Sequence, residues 1–175
     1  MSAQLSFAAG DYVVTMLKPN MVTDAWLSWL ADPFIMAELN TVPRRFSRDE
    51  LSAYIVTMAA KEKAVIGIFN TATRQQLGLF EVQMDRNHLS ASLNFIGDLR
   101  RKESEAAFRV ALDALCNRLR QQFKVGKFTF NTPATFKSIR PILVALGWSE
   151  EGVLRNEVPA ASGQGRVDVV CFGRL

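Results

Sequence analysis

Apolar and polar positions along the chain change period several times, and each change marks an element. Tyr12–Leu17 (YVVTML) is a short β-branched run and reads as a strand. After Lys18-Pro19-Asn20 the spacing turns helical, with Trp26, Leu27, Trp29 and Leu30 as its apolar positions and Thr23 or Asp24 as N-cap. Asp32-Pro33 closes that helix, because the residue before a proline avoids the right-handed helical region. Phe34 to Phe46 is less regular and predicts a short helix plus a loop. Ser47-Arg48-Asp49-Glu50 is a capping box opening a helix that carries Leu51, Tyr54, Ile55 and Met58. Three strands follow, Ala64–Asn70, Leu77–Asp85 and Ser90–Ile96. The links between them (TATRQQ and DRNH) are short, which implies an antiparallel meander.

The third of these strands stops at Gly97, and a basic knot of Arg100, Arg101 and Lys102 follows at once. A long amphipathic helix then runs from about Ser104 to Phe123, with Ala107, Ala111, Leu115 and Leu119 as its apolar stripe. Arg109, Asp113, Asn117 and Arg120 fall mainly on its other side. A strand feeding a helix N-terminus presents unpaired backbone N–H groups and the positive end of the helix dipole, a ready site for phosphate. Lys127–Asn131 (KFTFN) is the next strand, and a crossover of this length favours parallel pairing with the strand near residue 93. A helical pattern over Phe136–Leu146 stops at Gly147. A strand around Val153–Val158, a glycine-rich turn (ASGQGR) and a last strand at Val167–Phe172 complete the chain. With no repeat, low-complexity segment or linker, residues 1–175 read as a single α+β domain.

Composition narrows the function classes. Hydrophobic content of 49% and charged content of 22% support a core of ordinary size and argue against disorder. A net charge of +4 is compatible with an anionic ligand or nucleic acid but too small to decide between them, and a solvated basic face is the default reading. Nucleic-acid binding through Arg44-Arg45, Arg100-Arg101-Lys102 or Arg118 and Arg120 is disfavoured, since no recognition-helix pattern or interleaved aromatics accompany them. Cys116 and Cys171 lie far apart and the single histidine, His88, sits in a polar turn, so neither a metal site nor a Cys–His nucleophile is expected. Both cysteines read as small core residues in a reducing compartment. The first ten residues (MSAQLSFAAG) lack a signal pattern, and no stretch approaches the roughly 20 apolar residues of a membrane span. The expectation is a cytoplasmic protein without a membrane partner.

The order strand, two helices, three-strand meander, helix, strand, helix and terminal hairpin resembles the GNAT acyltransferase fold over nearly the whole chain. Three features resemble its branch of ribosomal-protein and diamine N-acetyltransferases. They are the early TDAWLSWLADP segment; Asn131 at a strand end, followed by a helix leading to Leu146-Gly147-Trp148; and Glu151-Gly152-Val153-Leu154-Arg155 with the closing Asp168–Leu175 strand. The resemblance implies a mixed, mostly antiparallel sheet with a central parallel pair and flanking helices. It implies acetyl-CoA as co-substrate, with Leu93, Asn94, Phe95 and Ile96 along the pantetheine arm and Arg100–Ala106 as the pyrophosphate loop. In that loop Arg101, Ser104 and Ala106 match a Gln/Arg-x-x-Gly-x-Gly/Ala pattern, with Ser104 standing where the family has glycine. Arg100 and Lys102 belong to the same basic stretch.

The chemistry implied is acetyl transfer to a primary amine, on a protein N-terminus or a small molecule, by direct attack. It asks for a base for the amine and a proton donor for the departing thiolate. The branch's fourth-strand glutamate maps to Ser92 or Asn94 here, which leaves Glu81 on the neighbouring strand as the carboxylate nearest a substrate gap. The family's late-helix tyrosine is missing, the chain's two tyrosines, Tyr12 and Tyr54, lying far upstream. Ser138 is the candidate replacement, with a helix-surface or capping role as its alternative. Asn131 is a candidate to bond CoA or substrate, or to serve a turn. Trp26, Trp29 and Trp148 read as core. Beside the enzyme stands a second reading, a catalytically degenerate GNAT-fold binding or assembly module. The edge strands and terminal hairpin leave room for a homodimer.

Overall fold

The computed structural model describes residues 5–175. Its elements run in the order β1 (Ser6–Ala9), β2 (Tyr12–Met16), α1 (Asp24–Ala31), α2 (Pro33–Glu38), α3 (Arg48–Ala60), β3 (Lys63–Asn70), β4 (Gln76–Asp85) and β5 (Ser90–Ile96). Then come α4 (Lys102–Phe123), β6 (Lys127–Pro133), α5 (Ile139–Ala145), β7 (Ser149–Pro159) and β8 (Arg166–Arg174). Local chemistry sets the helix starts. The Thr23 hydroxyl accepts from the Trp26 N–H at 3.2 Å and begins α1. Asp32 ends α1 and caps α2, its Oδ1 accepting from the N–H groups of Phe34 (2.8 Å) and Ile35 (3.1 Å), with Pro33 at the first helical position. The capping box of α3 is complete: Glu50 N–H donates to Ser47 Oγ at 3.2 Å and Ser47 N–H donates to Glu50 Oε2 at 2.7 Å.

Among the described residues, eight strands form one sheet in the order β1-β2-β3-β4-β5-β6-β8-β7, antiparallel except for the parallel β5–β6 pair that α4 connects. The α+β class and the central parallel pair agree with expectation. Four details differ. β1 precedes the expected first strand, its four-residue SFAA carrying too little patterning to be read as one. α4 begins at Lys102 rather than Ser104, because its first turn is polar and lies outside the apolar stripe. α5 is shorter than the helical pattern, with Phe136 in the turn before it. β7 extends from Ser149 to Pro159, a length hidden in the sequence because this edge strand is exposed almost throughout and shows no alternation.

The sheet is covered on both faces. On one, Phe80, Val82, Leu93, Phe95, Phe128 and Phe130 pack with Ala107, Phe108, Ala111, Leu112 and Leu115 of α4, none of these residues more than 1% exposed. On the other, Val65 and Leu79 meet Trp26 and Trp29 of α1 and Leu51, Ile55 and Met58 of α3. Phe108 is the hub of the first layer, its ring centroid 4.6 Å from Phe95, 5.7 Å from Phe80 and 6.4 Å from Phe130. Phe95 in turn sits in a slot between two glycines. A Cβ at Gly78 would lie 2.5 Å from its ring, and one at Gly97 2.6 Å, closer than packed atoms allow.

Candidate active site

β5 and β6 pair only at Ser90–Lys127, Ala91–Phe128 and Ser92–Thr129. Beyond that point each strand stays with its outer neighbour, β5 with β4 through Ile96 and β6 with β8 through Pro133. Phe108 lies beneath the divergence, touching Phe95 on one strand and Phe130 on the other. The opening between them is a cleft of about 260 Å³ walled by Glu81, Asn94, Ile96, Phe130, Asn131 and Pro133. Backbone groups of residues 93–96 that would face β6 in a full ladder have no strand beside them.

The outer end of the cleft is bounded by segments distant in sequence. Leu39 and Thr41, from the loop after α2, line it. Asn40 fastens that loop to the β7–β8 turn, its Nδ2 donating to the Pro159 carbonyl and its Oδ1 accepting from the Ala161 N–H, each at 2.8 Å. The Thr135 hydroxyl donates to the Glu38 carbonyl at 2.8 Å and ties in the loop before α5.

Glu81 stands opposite Asn94 across the β4–β5 ladder and lines the cleft. It also lines a second, larger pocket of about 440 Å³, whose walls are Trp26, Leu30, Phe46, Leu51, Tyr54 and Ile96. Glu81 and Ile96 therefore form the partition between the two spaces. The Tyr54 hydroxyl donates to the Glu81 carboxylate. Burial first, then the Glu81 charge and this hydrogen bond, raise the Tyr54 pKa well above its ordinary value of 10.0, so the phenol keeps its proton. Its ring meets Trp26 edge-on at 6.3 Å. Tyr54 lies far upstream of the late helix, and no sequence signal separates it from its apolar neighbours on α3. Folding α3 against β4 brings it to Glu81.

The loop into α4 is more committed than its basic sequence suggests. Arg100 donates through Nε to Asp98 Oδ1 at 2.7 Å and through one terminal nitrogen to Asp98 Oδ2 (3.0 Å) and Asp32 Oδ2 (2.8 Å). Its guanidinium lies 4.7 Å over the Phe34 ring. Arg100 thus clasps the loop to the start of α2 with its charge matched by two carboxylates. Arg101 and Lys102 are exposed and make no ion pair among the described residues. The helical ladder starts with Glu105 N–H donating to the Arg101 carbonyl at 3.0 Å, which leaves the N–H groups of Lys102, Glu103 and Ser104 at the open end of α4. Both nearby carboxylates have partners: Glu103 accepts from Asn70 Nδ2 at 3.1 Å, and Glu105 accepts from Arg109 at 2.7 and 3.0 Å. Ser104 is buried and Ala106 exposed.

Of the pantetheine candidates, Asn94, Phe95 and Ile96 line the cleft, as does Asn131 from β6, whereas Leu93 is fully buried in the layer under α4. Ser138 lies outside the cleft lining, just before α5. Its hydroxyl donates to Glu38 Oε2 at 3.1 Å and its N–H to Glu38 Oε1 at 3.4 Å, which binds α2 to α5.

A mixed sheet whose single parallel pair among the described residues opens into a cleft beside the N-terminus of its crossover helix is a distinctive topology, and solved structures match it over most of their length. The chain has the GNAT acetyltransferase fold. A GNAT-family acetyltransferase from Bacillus anthracis superposes with a TM-score of 0.80, covering 98% of both chains at 9% identity. The ribosomal-protein-S5-alanine acetyltransferase of Vibrio fischeri gives 0.71 at 12% identity, covering 98% of this chain and 96% of its own. The spermidine N-acetyltransferase of Vibrio cholerae, solved with CoA and spermine, gives 0.75 at 17% identity, covering 94% and 95%. No family sequence model matches the chain, and no curated protein matches it by sequence. The GNAT fold is therefore carried by geometry, at identities where sequence comparison is silent. No helix among the described residues is long and apolar enough to cross a membrane.

Proposed function

We propose that the protein is an acyl-CoA-dependent N-acetyltransferase that acetylates a primary amine by direct attack. The observation that carries this reading is the position of Glu81, whose carboxylate lies on the wall between the β5–β6 cleft and the apolar pocket under α3. The cleft suits acetyl-CoA. The open backbone of residues 93–96 can pair with the amides of the pantetheine arm, with Asn94, Ile96 and Asn131 beside it. Arg101, Lys102 and the free N–H groups at the start of α4 fit the pyrophosphate. Arg100 supports that loop through its clasp on Asp98 and Asp32.

Acetyl-CoA supplies a thioester carbonyl activated toward nucleophiles. Glu81 takes the proton of the incoming ammonium group and frees the nitrogen lone pair, while Tyr54 holds the carboxylate in place. The nitrogen–carbon bond forms and the carbon–sulfur bond breaks. The second amine proton ends on the CoA sulfur, and Glu81 returns its own to water. The rate gain comes from placing amine and thioester on the two sides of one carboxylate.

Calorimetric titration of acetyl-CoA tests the cofactor side. Saturable binding is expected, weakened at least tenfold in Arg101→Ala, and no heat at millimolar ligand would sink the enzyme reading. Binding unchanged in Arg101→Ala would show that the pyrophosphate lies elsewhere. Release of free CoA in the presence of amines separates turnover from the binding-module reading, which the serine at position 104 favours.

A further inference from the structure

The pocket beneath α3 has a chemistry of its own. Trp26, Leu30, Phe46, Leu51, Tyr54 and Ile96 give it apolar walls, and at about 440 Å³ it is roomier than the cleft on the other side of Glu81. Two carboxylates reach it, Glu81 and Glu50. Glu50 is already engaged: its Oε1 accepts from Arg44 at 2.7 Å and its Oε2 from the Ser47 N–H at 2.7 Å. Glu81 accepts from the neutral phenol of Tyr54 and makes no ion pair among the described residues, although Lys63 lines a small neighbouring space with it. A cation inside an apolar space is costly unless an opposite charge meets it. This pocket can therefore balance one ammonium group, at the Glu81 wall, and offers hydrocarbon and ring surface to everything attached to it.

Resting on the acetyltransferase reading, we propose that the acceptor is a primary amine with a single positive charge and an apolar, ring-sized body. The body occupies the space between Trp26, Phe46 and Leu51, and the nitrogen meets Glu81 at the partition with the cleft. A polyamine is a poor fit, because its second ammonium group would lie against apolar walls with no free carboxylate in reach. The same chemistry could come from a small arylalkylamine or from an apolar N-terminal residue of a peptide.

Two measurements test this independently of one another. In the first, 2-phenylethylamine and spermidine are titrated calorimetrically into the protein without acetyl-CoA. Saturable binding of 2-phenylethylamine is expected, at least tenfold tighter than spermidine, and lost in Glu81→Gln. Ala53 is exposed on α3 and lines the pocket, so Ala53→Trp should fill it and weaken 2-phenylethylamine at least tenfold while acetyl-CoA binding stays at the wild-type value. Equal or tighter spermidine binding, absence of any amine binding at millimolar concentration, or indifference to Ala53→Trp would each overturn the proposal. In the second, CoA release is followed with 2-phenylethylamine, a tripeptide beginning with Phe, spermidine and a tripeptide beginning with Asp. Each apolar amine should exceed its polar counterpart at least tenfold in kcat/KM, and the two apolar arms identify the source. Binding of 2-phenylethylamine with no turnover of any amine would keep the pocket as a site for a singly charged apolar amine but remove the acetyltransferase reading, and with it the acceptor role.

Discussion

Replacing Phe108 by alanine is the sharpest test of how the cleft is held open. The ring is fully buried on α4 and meets Phe95 of β5 at 4.6 Å, Phe80 of β4 at 5.7 Å and Phe130 of β6 at 6.4 Å. Truncating a buried phenylalanine costs about 3–5 kcal/mol through lost transfer energy and the cavity left behind. Three tilted or edge-on ring contacts, each worth roughly 0.5–1.5 kcal/mol beyond burial, place this site near the upper end of that range. For a domain of this size each kcal/mol lowers Tm by roughly 2–4 °C, so a fall of about 8–20 °C is expected. Urea unfolding followed by tryptophan fluorescence reads it directly, since Trp148 is edge-on to Phe130 at 6.0 Å in the same cluster. Phe108→Leu keeps most of the apolar volume and should cost only about 1–2 kcal/mol. It removes the ring that separates β5 from β6, so acetyl-CoA affinity should drop several-fold although the variant folds. A loss below about 2 kcal/mol for Phe108→Ala would refute the packing argument, and wild-type acetyl-CoA affinity in Phe108→Leu would refute the wedge.

Two further predictions concern titratable groups elsewhere in the fold. Burial alone would raise the Asp32 pKa, but hydrogen bonds from Arg100 and from the Ile35 and Phe34 N–H groups, with the Arg100 charge, hold it below its ordinary 3.8. A carboxyl depressed by folding stabilises fully above its unfolded value, and that contribution fades as pH falls through the folded one. Arg100→Ala should therefore lower Tm at neutral pH by an amount that shrinks below about pH 4; a gap that stays constant down to acid pH would show that the clasp is not electrostatic. Burial, ahead of the mixed charges of Arg174, Asp113 and Arg120, pushes the Cys116 thiol up to about 12. Iodoacetamide at about pH 8 should label Cys116 only once the protein unfolds, and mass spectrometry showing ready labelling of the native protein would contradict that burial.

The sequence by itself determined the local elements. Thr23, Asp32 and the Ser47–Glu50 box bond backbone groups within three residues of themselves, so their roles could be read without knowing the fold. The α4 stripe and the short links of the β3–β5 meander were legible for the same reason, because periodicity and turn length are local properties. The length of the crossover also foretold the parallel pairing, although not where it would stop. Glu81 could be picked out as the carboxylate facing a possible substrate gap, but its partner could not, since Tyr54 lies 27 residues upstream on a helix whose pattern marks it only as another apolar position. The basic knot shows the opposite case. Arg100, Arg101 and Lys102 are equivalent as sequence, yet Asp32, 68 residues away, takes Arg100 into a clasp and leaves the other two facing solvent. Ser138 likewise is bound to Glu38, 100 residues earlier. Tertiary structure alone decided these pairings, because burial and charge compensation depend on which distant elements pack together, and a one-dimensional pattern carries no term for that.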